Sequence, residues 1–426
     1  MGEGAPPRVA LVLFRADPAL GGAERYALEL ARALIARGQQ VSVLAARFGA
    51  LDPALEAALE RVTVACRAAT RAGAYRRFLD GVERCLAERP AALVHAFLPV
   101  RECDVYHAQA GLEGLSLDRR AAGRWAPLAR LERALLAKRR AFAAVERALI
   151  EGPRAPLTVC LSARERSAAL SHFAAQPEEV IALHNGVDAA RFDLDAAAAR
   201  AAALRRELGL GRRPVLLFIG NDFARKGLAT AVRALARVPE PEAVLVVVGS
   251  DDPRRYVRLA RTLGVEARVR FVGATERVAE HFALAHALVL PSVHEPFGMV
   301  VIEAFLMGVP SIVSAASGAS EVLRDGADGI VVAGAADGRA GQAARPNEQP
   351  NEQPNEQPNE QPNARLDDVE RWAAAFRRAL APDTHSALVA ACLARRAEFA
   401  YDRHIEDVLA LHTSARVRRA ARARTQ

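Results

Sequence analysis

The sequence predicts an α/β protein made of two successive doubly wound halves, and three observations predict it. Short apolar, β-favouring runs alternate with amphipathic helical stretches from Arg8 to Leu183, and again from Pro214 to Leu290. A glycine-bounded turn follows the first strand of each half, Gly21-Gly22 in one and Gly220 to Gly227 in the other. At 426 residues, 51% of them apolar, the chain is long enough to bury two substantial cores. Folds of this class bind ligands at the carboxyl ends of their strands, so the ligand is expected in a cleft between the two halves.

Taken in order, Arg8 to Phe14 reads as a buried strand, Arg25 to Arg37 as a helix stopped by Gly38, and Gln40 to Ala46 as a second strand. Further strands are expected at Arg61 to Cys66, Ala92 to His95, Asp104 to His107, Leu157 to Leu161 and Val180 to Leu183, the last running into His184-Asn185-Gly186-Val187-Asp188. Ala197 to Glu207 is a helix or linker into the second half. There Pro214 to Ile219, Ala243 to Val248, Val269 to Val272 and Ala287 to Leu290 read as strands, with helices at Thr230 to Val238 and Tyr256 to Leu263. Ser292 to Pro296 reads as a turn, and Phe297 to Met307 as a helix that Pro296 helps to start and Gly308 ends. The last helices are expected from Asp367 to Leu380 and from Ser386 to Leu411.

The domains expected from this pattern are 1–205 on the acceptor side and 206–385 on the donor side, with a low-complexity insertion at 335–365. A C-terminal helix and basic tail at 386–426 follow, their return to the first domain left open. Within the insertion, Pro346 to Asn363 is four copies of Pro-Asn-Glu-Gln and a final Pro-Asn. Such a repeat offers no face for a core and reads as disordered.

Lys and Arg number 58 against 50 Asp and Glu, a formal charge of +8. That balance favours anionic partners: nucleotides, phosphorylated glycolipids or an anionic membrane surface. Nucleic acid is excluded as the partner by 5% aromatic content and the lack of a recognisable binding module. Much of the excess lies in 119–147, where nine basic residues face Glu132 and Glu146. Trp125, Leu128, Leu131, Leu135, Leu136 and Phe142 recur there at near-helical spacing, the pattern of a basic helix able to lie on anionic lipid or, equally, to pack on its own domain. Arg416 to Arg424 is a second basic run and reads as a frayed tail. Cys66, Cys85, Cys103, Cys160 and Cys392 are odd in number and scattered, as expected of core residues in a reducing compartment. Val9 to Phe14 is too short for a signal-peptide core or a membrane span. The expected location is cytoplasmic, with any membrane contact peripheral.

Chemistry concentrates around Glu295 and Glu303. The helix after Pro296 is apolar on every side except at Glu303, and a buried carboxylate needs a protein donor or a ligand's hydroxyls. Glu295 precedes Glu303 by eight residues, roughly 12 Å if the path is helical. Between them lies a helix N-terminus with free N–H groups, which suits a phosphate. Arg225 and Lys226, adjacent in a loop leaving a strand's carboxyl end, suit a diphosphate and the charge that builds as it leaves. Together these groups fit a nucleoside diphosphate sugar. His95, His107 and His184 are scattered without metal-site spacing.

The motifs Gly21-Gly22, Asn185-Gly186-Val187-Asp188, Arg225-Lys226-Gly227 and Glu295-x7-Glu303, in this order, resemble those of the retaining GT-B glycosyltransferases of family 4. Gly220 to Gly227, Asp104-Val105-Tyr106 and Arg139 to Glu151 look like the lipopolysaccharide core glucosyltransferase I branch. That branch tends to carry small residues where this chain has His294-Glu295-Pro296-Phe297-Gly298, so the donor sugar stays open. The resemblance implies two Rossmann-like domains facing across a cleft, and transfer of a hexose, glucose in that branch, from a UDP-sugar to a lipopolysaccharide inner-core or other glycolipid acceptor. It implies that Glu303 holds the ribose hydroxyls and Glu295 those of the donor sugar. Arg225 and Lys226 would bind the diphosphate, with Gly21, Gly22, Phe297, Gly298, Met299 and Val300 forming its cradle. Asp104 and His107 fall on the acceptor side. No metal or other cofactor is expected. An epimerase or phosphorylase of the same fold is the alternative, of which an epimerase would need further acid and base groups on the donor side, which are not identified, and a non-catalytic scaffold would be expected to lose Glu295 or the Arg-Lys pair.

Overall fold

The structure, a computed structural model, describes residues 8–121, 137–239, 242–334 and 366–424, apart from the side chains of 118–121 and 366–367. Two compact units result, Met1–Val187 with Tyr401–Gln426, and Asp188–Ala400.

The first unit runs β1 (Arg8–Val12), β2 (Arg15–Ala16), α1 (Gly22–Ala36), β3 (Gln40–Ala45), β4 (Arg47–Phe48), α2 (Pro53–Ala58), β5 (Glu60–Thr63), α3 (Arg71–Glu88), β6 (Leu93–Ala96) and β7 (Val105–His107). It continues with α4 (Glu113–Ala121), α5 (Ala137–Ile150), β8 (Leu157–Cys160), α6 (Ala163–His172) and β9 (Val180–Ala182). Seven strands form one sheet in the order β5-β3-β1-β6-β7-β8-β9, and every pairing is parallel. Leu11 of β1 pairs with Val43 on one side and His95 on the other, and β6 is buried along its whole length, as a strand covered on both faces must be. Local caps start the helices: the Asp52, Thr70 and Ser162 side chains accept from the first free N–H groups of α2, α3 and α6.

The second unit begins with α7 (Leu194–Glu207) and then β10 (Val215–Ile219), α8 (Leu228–Leu235), β11 (Val244–Val248), α9 (Arg254–Thr262), β12 (Val269–Gly273), α10 (Val278–Leu284) and β13 (Ala287–Leu290). It closes with α11 (Met299–Leu306), β14 (Ser311–Ser314), β15 (Gly329–Val332), α12 (Leu366–Leu380) and α13 (Pro382–Arg395). Its six strands are also all parallel, in the order β12-β11-β10-β13-β14-β15. The strands β10, β11 and β13 are runs of Val, Leu, Ile, Ala and Phe buried on both faces.

Three sequence expectations change. The boundary falls at Val187 and not near 205, because α7 packs on α10, where Arg277 pairs with Glu207 at 3.0 Å and Glu280 at 2.8 Å. The single helix expected over 386–411 is broken: α13 ends at Arg395, a 3-10 turn spans Arg396–Phe399, extended Ala400 follows, and α14 (Tyr401–Arg424) belongs to the first unit. The run expected as a frayed tail is helical to Arg424 and docked. Arg418 and Arg422 reach Glu179, Arg419 reaches Asp104, and Arg422 donates to the Ala155 carbonyl. In the basic segment, for which both lipid contact and packing on its own domain stand open, Phe142 stacks on Tyr75 with ring centroids 3.9 Å apart, and the Lys138 ammonium lies over the Phe14 and Phe142 rings. Trp125, Leu128, Leu131, Leu135, Leu136 and the Pro-Asn-Glu-Gln repeat lie outside the described residues. Among the described residues, no helix is long and apolar enough to cross a membrane.

Candidate functional site

The carboxyl ends of β10 and β13, adjacent in the second sheet, place three charged side chains on one another. Lys226 Nζ donates to Glu295 Oε2 at 3.0 Å, and Arg225 Nη1 donates to the same oxygen at 3.1 Å. Glu295 is buried. Burial pushes its carboxyl up, but the charges of Lys226 and Arg225 and the hydrogen bonds they donate outweigh that and hold it below its usual range.

The loop geometry explains why these residues meet. Gly220 ends β10 with φ 138°, and a β-carbon there would come within 2.4 Å of Lys226 Cε, so the lysine lies across a surface only glycine provides. Gly227, at φ 76°, faces the Pro291 carbonyl so closely that a β-carbon would sit 1.9 Å from its oxygen. Val293 N–H donates to the Arg225 carbonyl at 3.0 Å, locking the two loops together. Asp222, with φ 57° the only described non-glycine residue at positive φ, accepts from Arg225 N–H at 3.2 Å and from Nε at 3.3 Å. Arg225 is thus held by Asp222 on one edge, and by Glu295 and the His294 carbonyl on the other.

Beyond Glu295 the chain is not yet helical, so the 12 Å helical spacing does not apply. Helix α11 starts at Met299 and not at Phe297, because Gly298 sits in the left-handed region at φ 101°. Val301 N–H bonds the Gly298 carbonyl at 2.9 Å, and the N–H groups of Met299 and Val300 begin the helix. The turn is braced by the segment after β14: Ser317 Oγ donates to the Phe297 carbonyl at 2.8 Å, Ala319 N–H to the same carbonyl at 2.8 Å, and Gly318 N–H to the Glu295 carbonyl at 2.9 Å. Glu303 is the one charged residue of α11 and is buried. Arg191 Nη1 approaches its Oε1 to 4.0 Å, from a 3-10 turn that the Asp188 carboxylate caps. Besides Asp222 and Arg191, which pair with Arg225 and Glu303, this second-unit constellation offers the cations Arg225 and Lys226, a helix start and the carboxylates Glu295 and Glu303.

The remaining expected site residues lie in the first unit. Gly21 is the extended N-cap of α1, and Gly22 its first residue. Asp104 is corrected: it sits at the amino end of β7, opposite the ligand-binding edge of such a sheet, and is taken up structurally, accepting from Val94 N–H at 2.7 Å and Arg419 Nη1 at 3.0 Å. His107, at the carboxyl end of β7, is fully buried. The fold also gathers histidines that look scattered in the sequence. Gln109, paired reciprocally with Asn185, donates to His107 Nε2 at 3.0 Å. The His107 proton is thereby placed on Nδ1, which donates to His95 Nε2 at 3.3 Å, and His95 Nδ1 donates to His412 Nε2 at 2.9 Å. His404 meets Tyr26 Oη at 2.7 Å, and a β-carbon on Gly186 would come 2.6 Å from that of His404. Burial and the neighbouring imidazoles push His95 and His107 well down, and burial lowers His404 to about 4 and His412 to about 3. Gly186 of the Asn185-Gly186-Val187-Asp188 motif therefore serves close packing against α14.

Residues 20–191 match the family model described as Glycosyltransferase Family 4, and residues 201–345 the model described as Glycosyl transferases group 1. The chain is a GT-B glycosyltransferase. The lipopolysaccharide glucosyltransferase WaaG of Escherichia coli K12 is 29% identical over 329 residues, covering 76% of this glycosyltransferase and 85% of that one. A crystal structure of WaaG, described as a glycosyltransferase involved in lipopolysaccharide biosynthesis, superposes with a TM-score of 0.75 at 25% identity, over 95% of this chain and 99% of that one. A D-inositol 3-phosphate glycosyltransferase of Catenulispora acidiphila is 29% identical over 368 residues, 78% of this chain and 84% of that one. The glycosyltransferase is thus related to lipopolysaccharide glucosyltransferases. Sequence reasoning missed Asp222, Ser317, Arg191, Gln109, His404 and His412 around these sites. Only Asp222 carried a signal, since Gly-Asn-Asp after a strand is a sequence that tolerates positive φ.

Proposed function

We propose that this glycosyltransferase moves glucose from UDP-glucose, with retention at the anomeric carbon, to a sugar of the lipopolysaccharide inner core or another glycolipid. The observation that carries the reading is the meeting of Lys226, Arg225 and Glu295 at a strand's carboxyl end, beside the start of α11 and one helix from Glu303. Lys226 and Arg225 bind the diphosphate together with the N–H groups of Met299 and Val300. Glu303 holds the ribose hydroxyls and Glu295 those of the donor sugar. As the sugar–phosphate bond breaks, the leaving oxygen gains negative charge, and fixed cations already in place stabilise it without a metal. The acceptor hydroxyl attacks the face that UDP leaves. His107 lies on the acceptor side of this scheme, and the basic segment 119–147 rests on anionic lipid from the cytoplasmic face.

The phosphorylated-inositol enzyme among the relatives supports a second acceptor class, a small phosphorylated polyol. A donor screen by UDP release, run with truncated lipopolysaccharide, inositol phosphate or no acceptor, separates the two. Acceptor-dependent release from UDP-glucose with the lipopolysaccharide alone is the expected result. Release with inositol phosphate alone overturns the acceptor assignment, and no release from any UDP-sugar overturns the donor assignment. Partition onto anionic but not neutral vesicles, weakened by salt, tests the lipid contact, and equal binding to both removes it.

A further inference from the structure

One oxygen, Glu295 Oε2, receives both cations that the proposed reaction assigns to the diphosphate. The two cations are not held alike. Asp222 and the His294 carbonyl grip Arg225 independently of Glu295, whereas Lys226 Nζ, on a largely buried side chain, has Glu295 as its partner among the described residues. We propose that Glu295 is the site's own competing anion: it occupies Lys226 and Arg225 when no nucleotide is bound, and it weakens binding of UDP more than binding of UDP-sugar. The inference rests on Lys226 and Arg225 being the diphosphate ligands.

The chemistry follows from counting charges and donors. A diphosphate entering between Lys226 and Arg225 brings like charge against a carboxylate in a water-poor site, where such repulsion is strong. With an intact UDP-sugar, the carboxylate exchanges the two cations for sugar hydroxyls, which donate to it in their place. UDP alone offers no such hydroxyls. Glu295 is then left facing the diphosphate, and regains its partners by displacing it. A single carboxylate thus discriminates substrate from product and limits inhibition by UDP.

The geometry makes a choice of probe possible, because uridine carries no phosphate and pyrophosphate carries no nucleoside. Binding of uridine, pyrophosphate, UDP and UDP-glucose to the wild type and to Glu295→Gln is measured by calorimetry, with circular dichroism as the folding control. Glu295→Ala serves where the Gln variant does not fold. The expected result is that UDP and pyrophosphate each bind about tenfold tighter to the variant, the effect of one like charge removed. Uridine is expected to bind unchanged, and UDP-glucose to gain less than UDP, so that the ratio of UDP to UDP-glucose affinity rises. Unchanged or weaker binding of UDP and pyrophosphate overturns the inference. Tighter pyrophosphate with no binding of UDP keeps it and overturns the uridine nucleotide reading. Equal gains for UDP and UDP-glucose overturn the discrimination, and failure of all four probes to bind any variant overturns both.

Discussion

A β-carbon on Gly220 would lie 2.4 Å from Cε of Lys226, so the path of the lysine side chain is set by the absence of a side chain six residues earlier. Gly220→Ala must either push Lys226 off Glu295 or shift the end of β10, and at φ 138° the backbone resists the substitution as well. Transfer should fall about 10- to 100-fold through misplacement of the cation, with the core intact because the substitution adds one methyl group at a loop. Steady-state kinetics beside a thermal melt checks this. Wild-type kcat in a folded variant would show that the lysine can reach its position by another route.

Lys226→Ala removes the more buried of the two cations and leaves Glu295 with Arg225 alone. Loss of one fixed charge at a leaving group typically costs about 10²- to 10³-fold in kcat, and the loss should exceed any rise in KM for the donor. Weaker binding of donor by the variant, with kcat preserved, would assign Lys226 to ground-state binding only.

How much of this was legible in the sequence depends on range. Strands such as Val244–Val248 and Ala287–Leu290 were readable because parallel strands covered on both faces are continuous apolar runs. Arg225, Lys226, Glu295 and Glu303 were readable because their chemistry is uncommon beside such strands. The ion pairs joining Lys226 to Glu295, 69 residues apart, were not, since nothing local marks which loops the sheet brings together. The same holds for His95 and His412, 317 residues apart, which meet only because α14 crosses back onto the first sheet. The start of α11 was misjudged for a local reason: Pro296 is a recognisable helix opener, but the left-handed Gly298 sets the first residue.

Asp104 illustrates a residue whose chemistry suggested function and whose placement gives structure. Asp104→Ala leaves Val94 N–H, inside a buried sheet, without its side-chain acceptor and removes the carboxylate partner of Arg419, which keeps the Ala91 carbonyl. Removing the acceptor of a buried N–H costs about 1–3 kcal/mol, whereas the exposed ion pair adds little. The expected outcome is a lower urea midpoint with kcat unchanged. An intact midpoint with reduced transfer would return Asp104 to the acceptor side.

The buried histidines make stability depend on pH with a definite sign. His404 and His412 titrate near 4 and 3 in the folded chain, and His95 and His107 are also pushed down, whereas an unfolded histidine titrates near 6.5. Between those values the unfolded chain binds more protons, so acid favours it. The stability is fully present above about pH 6.5 and is lost as pH falls toward the folded values, each group adding a slope of up to about 1.4 kcal/mol per pH unit. Tautomer matching makes the loss cooperative, because a proton on His95 replaces its Nε2 acceptor with a second donor facing the Nδ1–H of His107. Urea midpoints from pH 7.5 to 4.5 should therefore fall steeply below pH 6.5, and His412→Gln should flatten the fall while lowering the plateau. A wild-type profile as flat as the variant's would mean that water reaches this cluster and charges it without unfolding.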